Sequence, residues 1–144
     1  MGVVKLIHSV DSLELMEAIS QRAEKLGLVQ DILLEVNTGA EESKSGFSPE
    51  QVAPALENAS RLPGIRVRGL MTIPPICVDG TENIPFFQLL KQLFVDNSEK
   101  KYDNVSMDFM SMGMSGDFEA AIACGSNMIR VGTAIFGKRA YPTK

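Results

Sequence analysis

Basic runs, histidine, paired cysteines and long apolar stretches are scarce or missing in this chain, and each absence removes a class of function. Eighteen Asp and Glu outnumber fourteen Lys and Arg, for a formal net charge of −4 and a pI near 5.0. No basic run exists to neutralise phosphates, so nucleic acid is not an expected partner. No apolar stretch reaches the roughly 20 residues of a membrane span, so no membrane partner is expected. The opening MGVVKLIHSV lacks the charged region and cleavage site of a signal peptide, and a cytoplasmic location is the expectation. The one histidine, His8, has no companions at ligand spacing, which argues against a metal site. It reads as a structural residue at a strand end. Cys77 and Cys124 lie far apart and outside any Cys-x-x-Cys, the pattern of two reduced thiols.

What remains is an ordinary globular composition, 44% hydrophobic and 22% charged, in a chain long enough for one core. Residues 1–144 are therefore read as a single domain. Apolar runs at Val3–Ile7, Ile32–Val36, Ile65–Met71, Val105–Met110 and Met128–Val131 predict five strands. Between them, apolar residues recur at helical spacing: Leu13, Met16, Ile19, Ala23 and Leu26; Val52, Leu56 and Ala59; Phe87, Leu90, Leu93 and Phe94; and Phe118, Ala121 and Ile122. Asp11 or Ser12 can cap the first helix, which Gly27 stops; Ser48-Pro49-Glu50 opens the second. Strands separated by four helices imply parallel pairing, in an open sheet or a barrel.

The stretch SMGMSGDFEAAIACGSNMIRVGTAIFG, Ser111–Gly137, carries the strongest chemical suggestion. It reads as a Gly/Ser turn after the fourth strand, a short helix opened by Asp117, a fifth strand, and a second small loop at Gly132-Thr133. Parallel strands place both loops at one end of the sheet. Small residues let an oxyanion approach the backbone, and N–H groups at a helix start offer donors. Ser115 and Thr133 add hydroxyls, and Arg130 adds a fixed positive charge. The functional reading is a phosphate cup; the other is a pair of ordinary loops, with Arg130 paired to a carboxylate such as Asp108 or Glu35. The eight methionines, Met107, Met110, Met112 and Met114 among them, read as core filling.

Four stretches, HSVDSLEL, LLEVNTGAEESKSGF, RGLMTIPP and MDFMSMGMSGDFEAAIACGSNMIRVGTAIFG, together resemble the pyridoxal phosphate homeostasis protein family. The resemblance implies a (β/α)8 TIM barrel of the alanine racemase N-terminal type, represented here by about five strands and four helices. It also implies pyridoxal 5′-phosphate (PLP) as cofactor and a role in vitamin B6 homeostasis without established catalysis. Position by position, the phosphate would meet Met114, Ser115 and Gly116 in one loop and Gly132 and Thr133 in the other, where such barrels generally hold phosphate. Arg130 would approach the pyridine nitrogen. Asn37, Met71 and Thr72 would line the ring, and Lys44 sits in a loop near the same mouth. The family's early strands, with the lysine that forms the Schiff base, have no counterpart in these residues. Binding of PLP or a phosphate anion should then be weak and phosphate-directed. Five strands leave two open edges, so self-association, or complementation by a separate piece supplying early strands, is the expected partner mode. A racemase-like activity needs two acid/base groups, and Tyr102 and Tyr141 lie in a connector and the tail.

Overall fold

The computed structural model describes residues 2–138. It contains β1 (Leu6–Val10), α1 (Leu13–Lys25), β2 (Gln30–Glu35), α2 (Val52–Ala59), β3 (Ile65–Met71), α3 (Ile84–Ser98), β4 (Val105–Met114), α4 (Phe118–Ala123), β5 (Met128–Arg130) and α5 (Thr133–Phe136). Short 3-10 turns at Pro49–Gln51 and Gly80–Asn83 lead into α2 and α3. All four neighbouring strand pairs are parallel, in the order β1-β2-β3-β4-β5. The expected alternation holds, with one more short helix, α5, than the sequence suggested. Tyr141 and the rest of the expected polar tail beyond Lys138 lie outside the described residues.

Local signals explain most element ends. The Ser12 hydroxyl accepts from the Leu15 N–H at 3.3 Å and caps α1. Pro49 opens its turn, where it needs no N–H, and the Gln51 side chain reaches back to accept from the Ser48 N–H at 2.9 Å. At the far end of α2, the Asn104 amide donates to the carbonyls of Ala59, Leu62 and Ile65, which satisfies backbone that the helix leaves open.

The core lies between the helices and one face of the sheet. Met16 and Ile19 of α1, Val52, Ala55, Leu56 and Ala59 of α2, Phe87 and Leu90 of α3 and Ala121 of α4 pack on alternate strand residues. Those strand residues include Ile32, Leu34, Ile65, Val67, Leu70, Met110 and Met112. Each large side chain so buried contributes roughly 1.5–3 kcal/mol. Leu13 and Leu26, expected on the inner face of α1, are 40% and 43% exposed, and Ile122 of α4 is half exposed. Both thiols are free.

The other face of the sheet is polar and strongly curled. The His8 imidazole on β1 and the Ser111 hydroxyl on β4 are 3.1 Å apart. Strands lie about 4.8 Å apart, so in a flat sheet β1 and β4, separated by β2 and β3, would be roughly 14 Å apart. The sheet is a half-barrel with its polar face inside. Toward the strand beginnings, Arg68 of β3 bridges Asp31 of β2 at 2.8 Å and Asp108 of β4 at 2.6 Å, above the Phe109 ring. These pairs are partly exposed, so Asp31→Asn is expected to cost no more than about 1 kcal/mol by urea unfolding, and less in high salt.

Candidate functional site

Every strand ends at the same rim, and two loops there touch. The Ser115 hydroxyl, in the loop after β4, accepts from the Gly132 N–H at 3.3 Å and the Ala134 N–H at 3.1 Å, in the loop after β5. The loops are held from behind by Asp117. Its Oδ1 accepts from the Met114 N–H at 2.7 Å and its Oδ2 from the Asn83 side chain at 2.8 Å. The Met114 N–H is therefore committed. The N–H groups of Ser115, Gly116 and Thr133 have no acceptor among the described residues. A side chain added at Gly116 or Gly132 would meet open space, so a ligand can approach the backbone at both. Three free donors and a bare backbone fit a phosphate group. Because α4 and α5 are only six and four residues long, the donors rather than a helix dipole carry that fit. A recess of about 280 Å³ is lined by Ser115 and Gly116 of the first loop together with Asp79, Asp117 and Glu119, whose charges disfavour an anion on that side.

Arg130 ends β5 and points across the rim. One terminal nitrogen donates to the Ser111 hydroxyl at 2.7 Å and the other to the Thr72 carbonyl at 2.9 Å. No carboxylate lies within ion-pair distance of it among the described residues. The carboxylate partners envisaged for it are engaged or distant: Asp108 serves Arg68, and Glu35 acts only through its field. Burial pulls the Arg130 pKa below its ordinary value, against the fields of Glu35 and Asp117. Burial and then the field of Asp11 lift Glu35, against the pull of Arg130. Arginine remains charged under all ordinary conditions, so the rim holds a half-buried cation fixed by two neutral groups.

Of the residues expected to line a ring, Met71 is buried and Thr72 is fully buried at the end of β3. The Thr72 hydroxyl donates to the Val36 carbonyl at 2.7 Å, which leaves it to accept from Thr38 at 2.9 Å. Its carbonyl seats Arg130. Asn37 is used within its own loop, donating to the Glu41 carbonyl at 2.8 Å and accepting from the Glu41 N–H at 3.3 Å. Lys44 is not a free lysine. It pairs with Glu41 at 2.6 Å and donates to the Pro74 carbonyl at 3.3 Å. Met114 stands 43% exposed at the rim. Sequence reasoning missed Ser111 and misread His8, the two groups behind Arg130. Among the described residues, no three metal-ligating groups converge, and no helix is long and apolar enough to cross a membrane.

A family model, the alanine racemase N-terminal domain, matches residues 3–140. The chain belongs to that family. The pyridoxal phosphate homeostasis protein of Aquifex aeolicus is 45% identical over 141 residues, covering 98% of this chain and 61% of that protein. The protein of the same name from Vibrio cholerae is 41% identical, covering 94% of this chain and 56% of its own length. Among solved structures, PipY of Synechococcus elongatus with PLP bound matches with a TM-score of 0.79 at 30% identity, over 92% of this chain and 61% of PipY. Without PLP the same protein matches with a TM-score of 0.83. The resemblance read from the four motifs is borne out, and so is the fold: the five strands are part of a (β/α)8 barrel of the alanine racemase N-terminal type. The chain spans only 56–61% of the length of these relatives.

Proposed function

We propose that this chain carries the phosphate cup of a PLP-binding homeostasis protein and binds PLP weakly, led by its phosphate. The observation that carries the reading is the trio of unpartnered N–H groups on Ser115, Gly116 and Thr133 beside a cation with no carboxylate of its own. Ser115, Gly116 and Thr133 would hold the phosphate, and the bare backbone at Gly132 would let it approach. When bound, PLP supplies an aldehyde and an electron-accepting pyridine ring. Arg130 is a donor only, so it would meet the pyridine nitrogen as an acceptor and leave it unprotonated. Such a ring is a poor electron sink, which suits storage or delivery of the cofactor better than catalysis. Tyr102, in the connector before β4, packs against the core.

The test is an absorbance titration with PLP, with inorganic phosphate as competitor. Saturable binding that phosphate displaces is the expected result. Thr133→Ala should weaken it a few-fold and Arg130→Met by about tenfold, near the lower value of a charged hydrogen bond. A folded chain showing no saturable change would overturn the reading. Tight covalent loading on a native lysine, located by mass spectrometry, would overturn its weak, phosphate-led part.

A second reading rests on the edges of the sheet. Among the described residues, β1 and β5 each pair on one side only, and Ile129, Ile135 and Phe136 beside the β5 edge are exposed. These groups suit pairing with the strands that the longer relatives carry. Co-expression with such an N-terminal piece should yield a stable complex; two proteins that never co-purify would sink this reading.

A further inference from the structure

Behind Arg130 lies a polar chain that the cup itself does not require. The Arg130 guanidinium has no lone pair to accept with, so at 2.7 Å the Ser111 hydroxyl must be its acceptor. Ser111 is fully buried, and its single proton needs an acceptor of its own. The group in reach is Nδ1 of His8, at 3.1 Å. The direction of the chain is then settled: Arg130 donates to Ser111, and Ser111 donates to His8. This requires a neutral imidazole with its proton on Nε2.

We propose that His8 is a positioning residue which, through Ser111, locks Arg130 over the rim when neutral and releases it when protonated. Protonation would place a hydrogen on Nδ1 and reverse the bond to Ser111. The buried Ser111 proton would then lose its acceptor, and a second cation would stand near the guanidinium. Both effects loosen the Arg130–Ser111 contact and leave the Thr72 carbonyl as its remaining anchor. The charged groups around this chain are Arg130 on β5, Glu35 on β2, Asp11 just after β1 and Asp117 before α4. Burial, then the charge of Arg130, hold the His8 pKa below 6.5. The neutral form thus predominates at neutral pH, and the lock is lost as pH falls through the lowered value.

This inference rests on the cup reading only for its consequence, and the test separates the two. His8 is the one histidine in the chain, so its ring nitrogens can be followed by NMR without any cofactor. The expected spectrum shows the Nε2–H tautomer at pH 7.5 and titration below 6.5. Ser111→Ala should mix the tautomers, and Arg130→Met should raise the pKa. Glu35 is also lifted, first by burial, but it does not contribute to the histidine nitrogen signals. A ring with mixed tautomers that titrates normally and ignores both substitutions overturns the proposal.

The second arm compares PLP affinity from pH 7.5 to 5.5 in the wild type and in His8→Gln. Because the phosphate of PLP itself titrates near pH 6, the readout is the difference between the two profiles. The wild type should lose about fivefold more affinity than the variant, the low end of typical couplings between sites. Equal profiles, or a difference of opposite sign, overturn the proposed control of Arg130 even where the NMR result holds. Absence of PLP binding in both proteins counts against the cup alone, and the NMR arm then decides the relay.

Discussion

Gly69→Ala is expected to lower the unfolding free energy by about 3 kcal/mol or more, a large part of the roughly 5–15 kcal/mol that holds such a domain together. Gly69 sits inside β3 at a φ of +143°, where an L side chain is strained. A Cβ built there overlaps the Phe109 carbonyl oxygen and lies 2.8 Å from the carbonyl carbon and 3.0 Å from the amide nitrogen. These are main-chain atoms of β4, which cannot yield without opening the β3–β4 pairing. The pairing register also shifts here, between Val67 and Gly69. The shift explains why Val67 and Leu70, three residues apart, both enter the core, which in turn brings Thr72 to the rim, where its carbonyl seats Arg130. Gly132→Ala is the contrast. Its φ is −116°, and an added Cβ meets nothing within 4 Å, so a change within about 0.5 kcal/mol is expected. Urea unfolding of both variants checks the pair. A cost below about 1 kcal/mol at Gly69 would mean that β3 and β4 do not pair as described.

The alternation of strands and helices was legible because parallel strands need crossovers, and each crossover helix carries its own apolar stripe. The ends were less legible. The expected first strand, Val3–Ile7, is displaced to Leu6–Val10, with Val3 91% exposed. An apolar run alone does not reveal register; pairing of Leu6 with Asp31 and Ile7 with Ile32 sets it. His8 thereby moves from a strand end to a strand interior. The fourth strand was expected to stop at Met110 but continues to Met114. Met112, Gly113 and Met114 looked like the start of a turn, yet they belong to the strand. Ser111 lies between Met110 and Met112, which face the helices, and its hydroxyl turns to the interior face, toward His8 and Arg130. With the strand expected to stop at Met110, Ser111 was overlooked as a partner of Arg130. The two small-residue loops at neighbouring strand ends were legible because Gly, Ser and Thr cluster where the apolar runs stop. The partners of Asn37 and Lys44 were not legible: Asn37 bonds Glu41 within its own loop, and Lys44 pairs with Glu41 and reaches the Pro74 carbonyl.

Gly113→Ala is expected to abolish measurable PLP and phosphate binding while costing about 2 kcal/mol of stability, from left-handed strain and a tight contact together. Gly113 has a φ of +98°, and an added Cβ would lie 2.7 Å from the Ala121 Cβ and 3.0 Å from the Phe118 Cα. Both belong to α4, so relief of the contact must move that helix away from β4. The helix start holds the first loop, because the Met114 N–H donates to the Asp117 carboxylate at 2.7 Å and the Asp117 N–H to the Met114 carbonyl at 3.1 Å. Moving α4 therefore shifts Ser115, which no longer meets the N–H groups of Gly132 and Ala134, and the two loops separate. In the proposed cup both loops must hold the phosphate together, so a displacement of one loop by about 1 Å is expected to cost far more than removal of a single hydroxyl. Thr133→Ala, which leaves the backbone in place, should lose only a few-fold. Circular dichroism of Gly113→Ala should stay native-like at 25 °C while the PLP titration goes flat. A folded Gly113→Ala protein that binds PLP as the wild type does would show that the cup does not depend on the loop between β4 and α4, and would move the phosphate away from Ser115 and Gly116.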